Sequence, residues 1–317
     1  MLIAVCSVKG SPGVTTLAVA LAAQWPQAES TRRLIAEVDP SGGDLAMRFG
    51  LSATPGLVSL AAAARRTHGP GVVWEHTQAL PGGARVLAAP PGGGHARAAL
   101  STLTATPNGP SLLHAVAGEA GVVVLADCGR VDPGSPAEAI ARRADALVLV
   151  TGTQGDDLAH TAARLGELAG WTPRPGLLLT GEGYPTVDVE RELGVSAIGR
   201  LPHDPAAAAL ISGHRRAPAR RRGSGGLARQ TAALARALAT PAAPPSVAAP
   251  PQAHAVGMVP GVPAQQVRHQ PGTTVSTPIG HRPSIPPLRP PMPVPPLGNG
   301  LSRNGHQPST FGKEPLP

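Results

Sequence analysis

A chain of 317 residues has room for two domains, but 20 of its 38 prolines fall in the last 77 residues, which splits it by composition rather than by length. The net charge of +8 divides evenly: residues 1–240 carry 22 basic and 18 acidic side chains, and residues 241–317 carry five and one. Two cysteines, Cys6 and Cys128, exclude a disulfide framework and a cysteine-based metal site and fit a reducing cytoplasm, and no apolar run approaches the ~18 residues of a membrane-spanning helix.

Leu2 to Cys6 is an apolar run that reads as a strand. No basic region precedes it, and Lys9 and Pro12 interrupt it early, so no secretory signal is expected. It leads into Val8-Lys9-Gly10-Ser11-Pro12-Gly13-Val14-Thr15-Thr16 and then into the Ala-rich run Leu17 to Ala23, giving strand, loop, helix. In such a loop glycines turn backbone N–H groups onto an anion, and the following helix directs its positive end at the same point. Gly10 and Gly13 supply that freedom, and Thr15 supplies a hydroxyl at the helix start. The common phosphate-loop form G-x-x-x-x-G-K-S/T fails at Val8 and at Val14. Lys9 is nevertheless distinctive, because the chain has 25 arginines and only one other lysine, Lys313.

Arg33 to Val38 predicts a second strand ending in the acidic, Gly-rich stretch Asp39-Pro40-Ser41-Gly42-Gly43-Asp44, which also has the makings of a plain turn. Residues 45–66 predict a short helix, a break at Pro55-Gly56 and a helix over Leu57 to Arg66. Trp74 to Gln78 and Val86 to Ala89 read as strands around the turn Pro81-Gly82-Gly83. His68, His76, His95 and His114 show no ligand-like spacing. Gly121 to Asp127 is a continuous apolar run ending in one acid, as expected of a strand covered on both faces, with Cys128-Gly129-Arg130 as a loop behind it.

Further alternation follows: a helix at Pro136 to Arg143, a strand at Ala146 to Val150, and a helix at Asp156 to Ala169 with Leu158, Ala162, Leu165 and Leu168 on one stripe. Leu177 to Thr180, Val187 to Leu193 and Ala197 to Leu201 continue it as strand, helix, strand. Gly226 to Ala239 closes with an amphipathic helix whose stripe is Leu227, Leu234 and Leu238, broken only by Thr231. Repeated strand-helix alternation predicts a doubly wound, mainly parallel α/β sheet over residues 1–240.

Residues 241–317 have one aromatic residue, Phe311, and no sustained apolar period, so they are expected to be a disordered tail. Pro283 to Pro296 (PSIPPLRPPMPVPP) favours polyproline II, which suits a spacer or a docking strand for a protein partner. Arg215, Arg216, Arg220, Arg221 and Arg222 concentrate five positive charges in eight residues, while the rest of residues 1–240 is near neutral. Such a cluster is either a solvated loop or an electrostatic footprint for an extended anion.

Four pieces, Lys9 to Thr16, Glu37 to Asp44, Asp127, and Leu201 to Asp204, together resemble the MinD/ParA family of ATPases with a deviant phosphate loop. That loop is written K-G-G-x-G-K-S/T-S/T. Lys9 matches the signature lysine, Ser11 stands for the second glycine, and Val14 stands where the family has its Walker lysine. Glu37, Asp39, Pro40, Ser41 and Gly42 follow D-x-D-P-Q-G with two replacements. The resemblance implies a P-loop NTPase fold, ATP and Mg2+ as ligands, and a nucleotide contact through Lys9, Gly10, Ser11, Gly13, Val14, Thr15 and Thr16. It implies Thr15, Asp39 and Asp127 at the metal, with Asp127 on a Walker B strand, Asp39 near the hydrolytic water, and Lys9 reaching a partner's nucleotide in a homodimer. The five clustered arginines would bind nonspecific DNA. The family often reads adenine with an Asn where this chain has Thr180-Gly181-Glu182, and MinD proteins end in a basic membrane helix, which the Pro-rich stretch beyond residue 240 cannot form; no direct membrane anchor is expected. Two functions follow: a cytoplasmic, nucleotide-switched ATPase that positions cargo (a chromosome, a plasmid, or a secretion or pilus apparatus) with weak or slow ATP use, or a pseudo-ATPase scaffold that no longer turns nucleotide over.

Overall fold

The first strand shows how the molecule is layered. Every residue from Leu2 to Ser7 is buried, with Leu2, Ala4 and Cys6 in one apolar cluster and Ile3 and Val5 in another. Side chains of a strand alternate between faces, so both faces of this sheet are covered.

The computed structural model describes residues 1–10, 12–26, 29–67, 69–105, 109–213 and 225–240, all within one compact unit. The first half comprises β1 (Leu2–Ser7), α1 (Val14–Ala23), β2 (Arg32–Glu37), α2 (Leu45–Phe49), α3 (Leu57–Ala63), α4 (Gly71–Glu75), β3 (Gln78–Ala79), β4 (Arg85–Leu87), α5 (Gly93–Ala105) and α6 (Gly109–Ala117). The second comprises β5 (Val122–Arg130), α7 (Glu138–Ala141), β6 (Ala146–Gly152), α8 (Gly155–Ala169), β7 (Pro175–Thr180), α9 (Thr186–Leu193), β8 (Ala197–Leu201), α10 (Pro205–Ile211) and α11 (Gly226–Ala239). The eight strands lie in the order β3-β4-β2-β5-β1-β6-β7-β8, and all neighbours are parallel except β3 against β4. Helices α3 to α9 contribute to the cluster on one face, and α1 and α11 to that on the other. This is the doubly wound, mainly parallel sheet that the alternation predicts.

The closing helix behaves as its stripe predicts, with Leu227, Leu234 and Leu238 buried, and Thr231, the break in that stripe, is buried with them. Several elements differ from expectation. Trp74 to Gln78 is not a strand; residues 71–75 form a helical turn that buries Val72 and Val73, and only Gln78 and Ala79 pair with β4. So short an apolar run has no period to separate helix from strand, and packing decides: the Trp74 indole lies under the Arg32 guanidinium, 3.8 Å from ring centre, and donates to Glu119 at 3.3 Å. Cys128 to Arg130 belong to β5 rather than to a loop. Helices α5, α6 and α10 were not expected, although α5 buries Ala96, Ala99, Leu100 and Leu103 at helical spacing behind its opening glycines. The α8 stripe is turned slightly, burying Thr161 in place of Ala162; the Thr161 hydroxyl is 2.8 Å from that of Thr151.

Candidate functional site

The carboxyl ends of β1, β2 and β5, three adjacent strands, converge on one place, the usual position for a ligand in an open parallel sheet. The loop after β1 ends at Gly13, whose φ of +94° is a left-handed conformation suited to glycine, and α1 begins there with no side-chain cap. The N–H groups of its first turn are thus left for another acceptor. Of the predicted loop residues, Gly10, Gly13, Val14, Thr15 and Thr16 line a cavity of about 510 Å³; Lys9 does not line it, and Ser11 lies outside the described residues.

Acids from the other two strand ends stand at this cavity: Asp39 lines it, and Asp127, which does not, is hydrogen-bonded to two residues that do, Gly129 and Thr15. Asp127 is 2 % exposed, accepts from the Gly129 amide at 3.1 Å and from the Thr15 hydroxyl. Burial pushes its carboxyl up to about 7, with the neighbouring charges of Glu37 and Asp39 acting in the same direction. Asp39 accepts from the Ser41 amide at 2.7 Å and is also raised, mainly by burial. A β-bulge fixes how these groups meet. Between the pairs Val5/Asp127 and Ser7/Arg130, β5 has one residue more than β1, and Gly129 there has φ +56°. A Cβ on Gly129 would fall 1.8 Å from the Asp39 carboxylate, so only glycine lets Asp39 lie against the end of β5.

Glu37, matched in sequence to the first Asp of the family's motif, does structural work. Its carboxylate accepts from the amides of Asp44 (2.8 Å), Leu45 (2.9 Å) and Ala89 (3.0 Å), which ties the loop after β2 to the loop after β4. Lys9 points to α8, where its ammonium is bound by Asp156 and lies 3.3 Å from Asp157. These partners raise the Lys9 pKa, the Asp156 hydrogen bond most of all, and Lys9 lowers that of Asp156. The Thr16 hydroxyl is 3.0 Å from that of Ser212, a buried residue that ends α10.

Gly13 and Thr16 also line a second cavity of about 350 Å³, walled by Thr180, Gly181, Pro202, Leu227 and Thr231, with no Asn or Gln among its described lining residues. Asp204, predicted as part of a family motif, caps α10 here, accepting from the Ala207 amide at 2.9 Å. Two residues to which the sequence reading gave no role at the site, Arg48 and Arg130, line the first cavity. Arg130 was legible in principle, since it directly follows Gly129 at the end of the apolar run that carries Asp127. Arg215, Arg216, Arg220, Arg221 and Arg222, and the Pro-rich residues 241–317, lie outside the described residues. No described helix is long and apolar enough to cross a membrane, and among the described residues no three His, Cys, Asp or Glu side chains form a metal cage.

A parallel sheet with a glycine-capped loop and helix after β1, and acids at the ends of two neighbouring strands, defines a P-loop NTPase-type architecture. No protein-family profile and no curated protein matches the chain. Solved structures do. The ParA family ATPase from Chlorobium tepidum TLS aligns with a TM-score of 0.61 and 16% identity over 74% of this chain and 98% of its own. The septum site-determining protein MinD of Pyrococcus horikoshii OT3, in complex with Mg-ADP, aligns at 0.59 and 17% over 75% and 95%, and the cell division ATPase MinD of Pyrococcus furiosus at 0.58 and 19% over 75% and 97%. The fold is that of the MinD/ParA-type P-loop NTPases.

Proposed function

We propose that this chain is a MinD/ParA-like, nucleotide-switched ATPase that positions cargo, with weak ATP affinity and slow turnover because Val14 replaces the Walker lysine. The observation that supports it most is the junction of Thr15, Asp127, Asp39 and Gly129 beneath the open end of α1. The α1 amides and Gly10 bind the phosphates, and Asp39 orients water at the outer one. Thr15, Asp39 and Asp127 would hold Mg2+. They fit it, because Mg2+ takes one or two carboxylates with hydroxyl, water and phosphate oxygens rather than an all-protein cage, and the raised Asp127 carboxyl is one that a cation relieves. Bound there, Mg2+ neutralises charge on the outer phosphate oxygens.

Lys9 is the residue of a homodimer contact in this reading: released from Asp156 and Asp157, it reaches the partner's nucleotide. A second reading has a specific observation in its favour. Val14 is 6 % exposed and shares an apolar cluster with Leu17 and Ala18, so this position has become core, as expected of a scaffold that no longer turns nucleotide over. Titration of the full chain and of Lys9→Ala with ATP and Mg2+ separates the readings. Weak binding that Lys9→Ala weakens further supports the switch; equal binding removes Lys9 from the site; no binding by either leaves the scaffold.

A further inference from the structure

The loss of the Walker lysine leaves an apparent deficit of positive charge, but the cavity is not without cations. Among the described residues, Arg48 and Arg130 are the basic side chains that line it. Arg48 is largely buried, 19 % exposed, and bound to Asp44 four residues before it at 2.6 Å. Arg130 is freer. The sheet register sets its Cα opposite Ser7, the last residue of β1 before the phosphate loop, and the bulge at Gly129 turns the end of β5 toward Asp39. Its guanidinium is held by one carboxylate alone among the described contacts, Asp132, at 2.8 and 3.1 Å, and both side chains are more than half exposed.

We infer that Arg130 is the phosphate-contacting cation of this site, standing in for the lysine that Val14 replaces and directed at the outer phosphate of a nucleoside triphosphate. An exposed ion pair such as Arg130–Asp132 is worth little, so Asp132 is a partner that a phosphate can displace. A guanidinium forks onto phosphate oxygens with two charge-assisted bonds, which a point-charge lysine does not. The field of Arg130 already reaches the site, since it acts to lower the Asp39 carboxyl against the effect of burial. The inference rests on the nucleotide-binding reading above and names a residue that reading does not use.

The test is equilibrium binding of ATP with Mg2+, and of ADP with Mg2+, to the full chain, with thermal melting as a check on folding. Arg130→Ala should weaken ATP at least tenfold and ADP much less, with an unchanged melting temperature. Val14→Lys should tighten ATP by a larger factor in the Arg130→Ala background than the at least tenfold it gains in the wild type. Asp132→Asn, which frees the guanidinium, should tighten ATP several-fold. Wild-type binding of ATP that Arg130→Ala and Asp132→Asn both leave unchanged overturns this inference and leaves the proposed function standing, as does equal weakening of ATP and ADP. No nucleotide binding by the wild type overturns both.

Discussion

Asp127 is a buried acid whose charge the fold disfavours, and the sign of its effect on stability is defined. Its folded pKa of about 7 lies above the ordinary 3.8, so the folded state holds this proton more tightly than the unfolded chain does. The stability that Asp127 contributes without metal is therefore greatest in acid and declines as pH rises from about 4 to about 7, by on the order of 4 kcal/mol for a shift this large. Glu37 and Asp39 are displaced in the same direction by burial and add to the trend. Urea unfolding in a chelator at pH 5 and pH 7.5 should show the loss, and Asp127→Asn should flatten most of it; a wild type more stable at pH 7.5 than at pH 5 would refute the assignment. Val14 gives a second prediction at this scale. Its side chain touches both the core and the phosphate-side cavity, so a lysine stem can follow the valine while its ammonium emerges at the phosphates. Val14→Lys should tighten ATP binding at least tenfold in the wild type, and no gain in a titration would mean that the loop around Pro12 no longer presents a phosphate nest.

Among the elements, α11 carries a correctable defect. Thr231 is wholly buried beside the stripe of Leu227, Leu234 and Leu238, and its hydroxyl has no partner among the described residues. Thr231→Val keeps the shape and removes the unsatisfied group, so it should stabilise the fold by about 1 kcal/mol in chemical denaturation; a destabilised variant would show that the hydroxyl has a water or ligand partner. The same helix shows what the sequence makes legible. Its stripe was readable because 14 residues hold a clear period, and β1, β2, β5 and β6 were readable because strands covered on both faces are continuous apolar runs. The turn at Gly71 to Glu75 was not, since Val72-Val73-Trp74 fits either period and Arg32 and Glu119, far away in sequence, settle it. The site divides in the same way. Loop glycines and strand-end acids could be placed by local order, whereas the seating of Asp39 on Gly129, the amides on Glu37 and the cavity position of Arg130 depend on strand register.

At the scale of the whole molecule, the proposed work of positioning cargo needs a surface to hold and a state to switch. Arg215, Arg216, Arg220, Arg221 and Arg222 are proposed to hold duplex DNA; if all five meet phosphates, binding should fall with log salt at a slope of about −4.5 and show little sequence preference. Retention on duplex DNA at low salt that is unchanged when all five become alanine would remove this site and leave a protein partner, for which the Pro-rich segment is the proposed ligand. The switch is the central claim, and it is tested most directly by measuring the mass of the full chain by light scattering while ATP or ADP is titrated in with Mg2+. The account predicts saturable, weak binding of ATP and a shift from monomer toward dimer that ADP does not produce and that Lys9→Ala abolishes. A mass that stays constant up to millimolar ATP, with no heat of binding, would contradict it.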